Sequence, residues 1–121
     1  MRALVAAALA ASVLFSPLVA AQWAGVFKGG PMEFFDEDDM RLFLDASRQA
    51  LGRPADDQVL GWENPKNGHR GDVKVLRAFE SRGRDCKELQ VRGEAQGRKG
   101  DTRLNYCSID GQWKLLGDSQ L

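Results

Sequence analysis

Turn chemistry recurs at short intervals through the second half of this 121-residue chain. Lys66-Asn67-Gly68, Ser81–Arg84 with Gly83, Gly97–Gly100 and Asp110-Gly111 each interrupt an extended pattern. Glycine tolerates positive φ without a steric penalty, and Asp-Gly is a two-residue hairpin signal. The intervening segments are Val59–Glu63, Val73–Glu80, Cys86–Gln96, Asp101–Ile109 and Gln112–Leu116. Val73 and Val75 fall on one side, with Lys74 opposite. Leu89 and Val91 share a side with Lys87. Leu104 and Tyr106 lie on one face of their segment, Cys107 and Ile109 on the other, and Trp113 and Leu115 share a face. A period of two is the signature of a strand, and short strands joined by tight turns predict an antiparallel meander.

One helix precedes these strands. Asp36 is a suitable N-cap, and Glu37, Asp38 and Asp39 put negative charge in the first turn, where the helix dipole favours it. Met40, Phe43, Leu44, Ser47, Ala50 and Leu51 recur at helical spacing and define the expected buried face. Gly52 and Pro54 end the helix. The expected fold class is α+β: one N-terminal amphipathic helix packed on a small antiparallel β-meander of four to five strands, with one disulfide.

The first residues bear on compartment. Met1-Arg2, an apolar run from Ala3, the break at Ser16-Pro17 and the small residues Ala20-Ala21 have the layout of a secretory signal peptide. Cleavage is expected near Ala21. The run is short for a membrane-spanning helix, so no transmembrane helix is expected in the mature protein. Residues 22–35, with Gly25, Gly29, Gly30 and Pro31, read as a flexible lead-in, and residues 36–121 as a single domain. The chain has two cysteines, Cys86 and Cys107. An even count in an exported chain reads as a disulfide.

Charge is balanced overall, with 17 basic and 17 acidic residues, but unevenly spread. Acids outnumber bases eight to three from Glu33 to Asp57, and bases outnumber acids eleven to six from Lys66 to Arg103. Solvated faces account for this, and a basic surface meeting peptidoglycan or anionic lipid headgroups is the sharper alternative. An exported, charge-balanced domain is a poor nucleic-acid binder. His69 is the only imidazole and lies in a Lys/Asn/Gly turn, where it is expected to be exposed. No Gly-x-Ser-x-Gly elbow, phosphate-cradling glycine loop or calcium-loop alternation is present. No cofactor or metal is implied, and the expected protein is not an enzyme.

Structural chemistry concentrates in one turn. Asn64 precedes Pro65 and can bond nearby backbone, Gly68 and Gly71 permit unusual backbone shapes, and Trp62 and Trp113 can cover an end of a small sheet. This turn, comprising Trp62, Asn64, Pro65, Gly68, His69, Arg70 and Gly71, is the candidate binding or structural site.

The same residues carry a family resemblance. Trp62-Glu63-Asn64-Pro65-Lys66-Asn67-Gly68-His69-Arg70-Gly71-Asp72-Val73 is similar to the Trp-x-Asn-Pro-x-x-Gly-x-x-Gly-x-Val run of the rickettsial-type common surface antigen family. Gly83-Arg84-Asp85-Cys86-Lys87-Glu88-Leu89 resembles that family's Gly-x-x-Cys-Arg-Glu-aromatic segment. Val91, Gly93 and the close at Cys107, Asp110-Gly111 and Trp113 follow in order. Three features depart from the pattern. No cysteine precedes Cys86 to carry a lipid, an acidic amphipathic helix stands in place of a glycine zipper, and Tyr106 and Ser108 flank Cys107. The resemblance implies a non-catalytic envelope protein, periplasmic or outer-membrane-associated, acting as a structural or binding module. The alternative is an inhibitor or binding partner of another envelope protein such as a hydrolase.

Overall fold

A computed structural model describes residues 29–54 and 58–121. The expected signal peptide, and residues 22–28 of the lead-in, lie outside the described residues. A 3-10 turn at Pro31–Phe34 leads to helix α1, Glu37–Leu51. Strands β1 (Val59–Glu63), β2 (Arg70–Ser81), β3 (Arg84–Ala95), β4 (Arg98–Ile109) and β5 (Gln112–Leu116) follow, and a second 3-10 turn spans Asp118–Gln120. The strands form one sheet in sequence order, antiparallel throughout. This is the expected α+β meander, with all five strands.

Three two-residue turns make the meander. Arg82-Gly83, Gln96-Gly97 and Asp110-Gly111 all have positive φ at both positions. Paired positive φ angles give the turn twist that matches twisted strands. The turn between β3 and β4 therefore sits one residue earlier than the expected Gly97–Gly100. Gly97 takes the left-handed conformation, while Gly100 lies within β4. The long strands also begin two to three residues before the expected starts, because ladder pairing extends the alternation into turn-like residues such as Arg70-Gly71.

Helix α1 opens on a capping box. The Asp36 carboxylate accepts from the Asp39 N–H at 2.8 Å, and the Asp39 carboxylate accepts from the Asp36 N–H at 3.0 Å. The buried face is Asp39, Phe43, Ala46, Ser47, Ala50 and Leu51. Met40 and Leu44, expected on that face, are only partly buried. The helix is rotated so that Asp39 points into the protein, which turns Ala46 inward and moves Met40 and Leu44 to the flank. Phe43 is fully buried in a core with Trp62, Val73, Val75, Leu89, Val91, Leu104 and Tyr106. Burial pushes the Tyr106 phenol up from its ordinary value.

One row of this sheet face has no side chains. Gly71, Gly93 and Gly100 stand opposite one another on β2, β3 and β4. A Cβ on Gly71 would lie 2.8 Å from Trp62 Nε1 and 2.5 Å from the Arg92 carbonyl oxygen. A Cβ on Gly100 would lie 2.6 Å from Pro31 Cδ, and one on Gly93 would lie 3.3 Å from Phe35 Cζ. The row is a shallow trough that receives the Trp62 indole and the Pro31–Phe35 segment. Part of the stretch expected as a lead-in thus packs on the sheet, with Pro31 and Met32 buried. Overpacking such a contact costs about 1–3 kcal/mol. Gly71→Ala is therefore expected to lower the urea midpoint by that equivalent, and an unchanged midpoint would show that Trp62 is not seated there.

Candidate functional site

The turn between β1 and β2 is held against the start of α1 by one carboxylate. Asp39 has no exposed surface. Its oxygens accept from Asn64 Nδ2 at 2.8 Å, from Asn67 Nδ2 at 3.2 and 3.3 Å, and from the Asp36 N–H at 3.0 Å. His69 Nδ1 stands 2.7 Å from Asp39 Oδ2. A carboxylate only accepts, so Nδ1 carries a proton and donates. Burial pushes the Asp39 carboxyl up. The Asp36 N–H, His69, Asn64 and Asn67 together outweigh that, and the group rests below its ordinary value.

The turn is stiffened from within as well. Asn64 Oδ1 accepts from the Lys66 N–H at 3.0 Å, and Asn67 Oδ1 accepts from the His69 N–H at 2.9 Å. The Gly68 N–H donates to the Asn64 carbonyl at 2.8 Å, with Gly68 at φ 76°. The candidate turn residues therefore divide. Asn64 and His69 are buried, at 2 % and 6 % exposure, and hold the hub. Trp62 lies over Gly71, in edge contact with Phe35 at 5.1 Å between centroids. Pro65, Gly68 and Arg70 are exposed. The expected exposure of His69 is corrected: its ring stacks beside Phe35 at 6.3 Å and is drawn inward by the Asp39 carboxylate. Its Nε2 faces the Gln96 amide at 3.4 Å. A base that activates a nucleophile presents that nitrogen to a hydroxyl or thiol. Here the imidazole instead joins three segments.

Sequence reasoning missed Asp39 and Asn67. The first-turn pattern marks Asp39 only as dipole charge, although its spacing from Asp36 fits a capping box. Among the described residues, no group of three or more His, Cys, Asp or Glu side chains is placed to hold a metal ion. No helix among them is long and apolar enough to cross a membrane.

The opposite sheet face is charged and paired. Arg70 reaches Glu94 at 2.9 Å, Arg92 stands 3.9 Å from Asp72 and 4.0 Å from Asp101, and Glu88 lies between Arg77 at 3.8 Å and Arg103 at 3.9 Å. Bases of the Lys66–Arg103 stretch thus sit across from acids, a ladder worth little in stability but balanced in charge. An open groove of about 620 Å³ crosses this face beside Glu63, Arg70, Asp72, Arg92, Glu94 and Lys99. Cys86 and Cys107 are direct partners on β3 and β4 and are disulfide-bonded, with Cα atoms 4.0 Å apart. Both are buried, and Phe79 stands beside Cys86 in register.

Lys87 ties the far end of the helix to the sheet. Its ammonium donates to the Leu51 carbonyl at 2.8 Å and the Arg53 carbonyl at 2.5 Å, and lies 5.3 Å from the Trp113 ring centroid. A cation is favoured at a helix C-terminus, whose last carbonyls lack partners. Lys87→Met keeps the stem and removes these donors. It is expected to cost about 1–2 kcal/mol in urea denaturation, and a midpoint equal to the parent's would show that water caps the helix equally well.

Fold and site together define a small disulfide-bonded α+β module in which a buried carboxylate clamps a strand turn to a helix. The chain is 32 % identical over 83 residues to the 17 kDa surface antigen of Rickettsia prowazekii (strain Madrid E), a match covering 67 % of this chain and 52 % of that protein. It is 31 % identical over 83 residues to the 17 kDa surface antigen of Rickettsia conorii (strain ATCC VR-613 / Malish 7), with the same coverage. Over this stretch the chain is homologous to the rickettsial 17 kDa surface antigens, the family whose motifs its residues 62–113 resemble. It spans about half the length of these relatives. No family model and no solved structure matches the chain.

Proposed function

We propose that this protein is a non-catalytic module of the cell envelope, exported by its N-terminal apolar segment and acting in the periplasm or at the outer membrane as a structural or binding domain. The observation that carries this reading is its homology to proteins named surface antigens. The disulfide is in keeping with an oxidising compartment. The polar cluster that most resembles catalytic machinery is taken up in clamping the turn to the helix. Fractionation of cells producing the protein tests the proposal. The chain is expected with the envelope, oxidised, and beginning at Gln22 by mass. Recovery in the cytoplasm with both thiols free would overturn it.

A second reading is an inhibitor or binding partner of another envelope protein such as a hydrolase. It is favoured by the exposed tip of the β1–β2 turn at Pro65, Lys66 and Gly68, which the Asp39 network holds in a preorganised shape. Capture from detergent-solubilised envelope with the oxidised protein separates the two. A stoichiometric protein partner, lost on Lys66→Glu, supports the inhibitor. Recovery of only peptidoglycan or anionic lipid supports the structural module.

A further inference from the structure

Asn67 is followed by Gly68, in the turn that the Asp39 carboxylate holds. Both residues are exposed to water. An asparagine before glycine can react with its own backbone, because glycine has no side chain to hinder the approach. The Gly68 amide nitrogen, having given its proton to water, attacks the Asn67 side-chain carbonyl carbon. A C–N bond forms and closes a five-membered imide. The bond from that carbon to Nδ2 breaks, and the nitrogen takes a proton back from water and leaves as ammonia. Water then opens the imide at either carbonyl, leaving an aspartate or an iso-aspartate in place of Asn67. Nothing is oxidised or reduced, and water is the only co-reactant.

Every group needed for this reaction is engaged in the folded protein. The nucleophilic nitrogen donates to the Asn64 carbonyl at 2.8 Å. The carbonyl oxygen of the side chain accepts from the His69 N–H at 2.9 Å. The departing nitrogen donates to Asp36 Oδ2 at 3.2 Å and to both Asp39 oxygens at 3.2 and 3.3 Å. Reaction requires the Gly68 N–H to leave the Asn64 carbonyl and the side chain to leave the Asp36 and Asp39 oxygens that fix it. The product then cannot remake them. A new carboxylate would face two existing ones across distances at which the amide had donated, and like charges at that separation repel.

We propose that Asn67-Gly68 is a deamidation site kept latent by the Asp39 network, and that its conversion unlatches the β1–β2 turn from helix α1 irreversibly. The network sets the rate, since conversion proceeds through the open state and tracks its population. Losing a hydrogen bond to a charged group shifts that population by roughly tenfold or more.

Mass analysis of the peptide containing Asn67 reads the conversion. The oxidised protein is incubated at mildly alkaline pH, folded in one sample and in denaturant in another. The folded protein is expected to convert at least about tenfold more slowly than the unfolded chain, and Asp39→Asn is expected to recover most of that difference. An Asn67→Asp variant, made directly, is expected to have a lower urea midpoint and faster hydrogen exchange at the Gly68 and His69 amides. Conversion of the folded protein at the unfolded rate would overturn the latency. An unchanged midpoint and exchange rate in Asn67→Asp would overturn the unlatching. Should Asp39→Asn not fold, the folded-against-unfolded comparison and Asn67→Asp decide the matter.

Discussion

Asp39→Ala is expected to lower the stability of the domain by about 3–5 kcal/mol, the usual result of removing one partner from a buried polar pair. The carboxylate has no exposed surface, and it accepts from Asn64, Asn67, His69 and the Asp36 backbone. Truncation leaves those donors facing a void. It also removes the half of the capping box that satisfies the Asp36 N–H. Urea denaturation followed by tryptophan fluorescence is a suitable measurement, because Trp62 packs beside the affected turn. A loss under 1 kcal/mol, on the scale of a solvated surface residue, would mean that water replaces the carboxylate and that the turn holds itself.

Acid provides the matching titration. The Asp39 carboxyl rests below its ordinary value of 3.8 in the folded protein. A carboxyl with a lowered folded value binds fewer protons when folded than when unfolded. Its stabilisation is therefore complete above the ordinary value and is lost as pH falls through the folded one. The parent is expected to lose stability steeply below about pH 4. Asp39→Ala is expected to show a shallower acid slope over the same range. Equal slopes would place the acid sensitivity in other carboxylates.

Removing the disulfide by the Cys86→Ser, Cys107→Ser pair is expected to cost about 3 kcal/mol. The bond closes a loop of sequence separation 21, and in the chain-entropy model the open loop returns its freedom to the unfolded state. The native strands keep their register, because Cys86 and Cys107 oppose each other within an extended β3–β4 ladder. The two buried hydroxyls that replace the sulfurs add a desolvation cost. Reduction of the parent should move its urea midpoint toward that of the double variant. A parent that melts identically with and without reductant would show that the pairing of β3 and β4 does not depend on the bond.

The meander was legible in the sequence because hairpin chemistry is local. Gly83, Gly97 and Gly111 supply positive φ within two residues of the strands they join, and alternation on either side supplies the faces. The same locality made Asp36 readable as a helix cap, and the even pair of thiols made Cys86 and Cys107 readable as a disulfide.

Asp39 shows where that reading ends. Three successive acids at a helix start look alike in sequence, and each suits the dipole. Asp38 remains at the surface, paired with Arg41 and Lys66, while Asp39 is enclosed by donors 25, 28 and 30 residues further along. The burial of His69 is hidden from its local sequence for the same reason, since it depends on that distant carboxylate. Gly71 and Gly100 read as turn residues and Gly93 as an ordinary strand residue, and strand register is what brings the three into one row beneath Trp62 and Pro31. The sequence by itself determined the order of elements, the turns and the disulfide, because each is decided by neighbours in the chain or by an even pair of thiols. Which carboxylate is buried, which face of α1 is covered and what occupies the glycine trough were decided only by the tertiary structure, because those energies arise between groups that meet only once the sheet has formed.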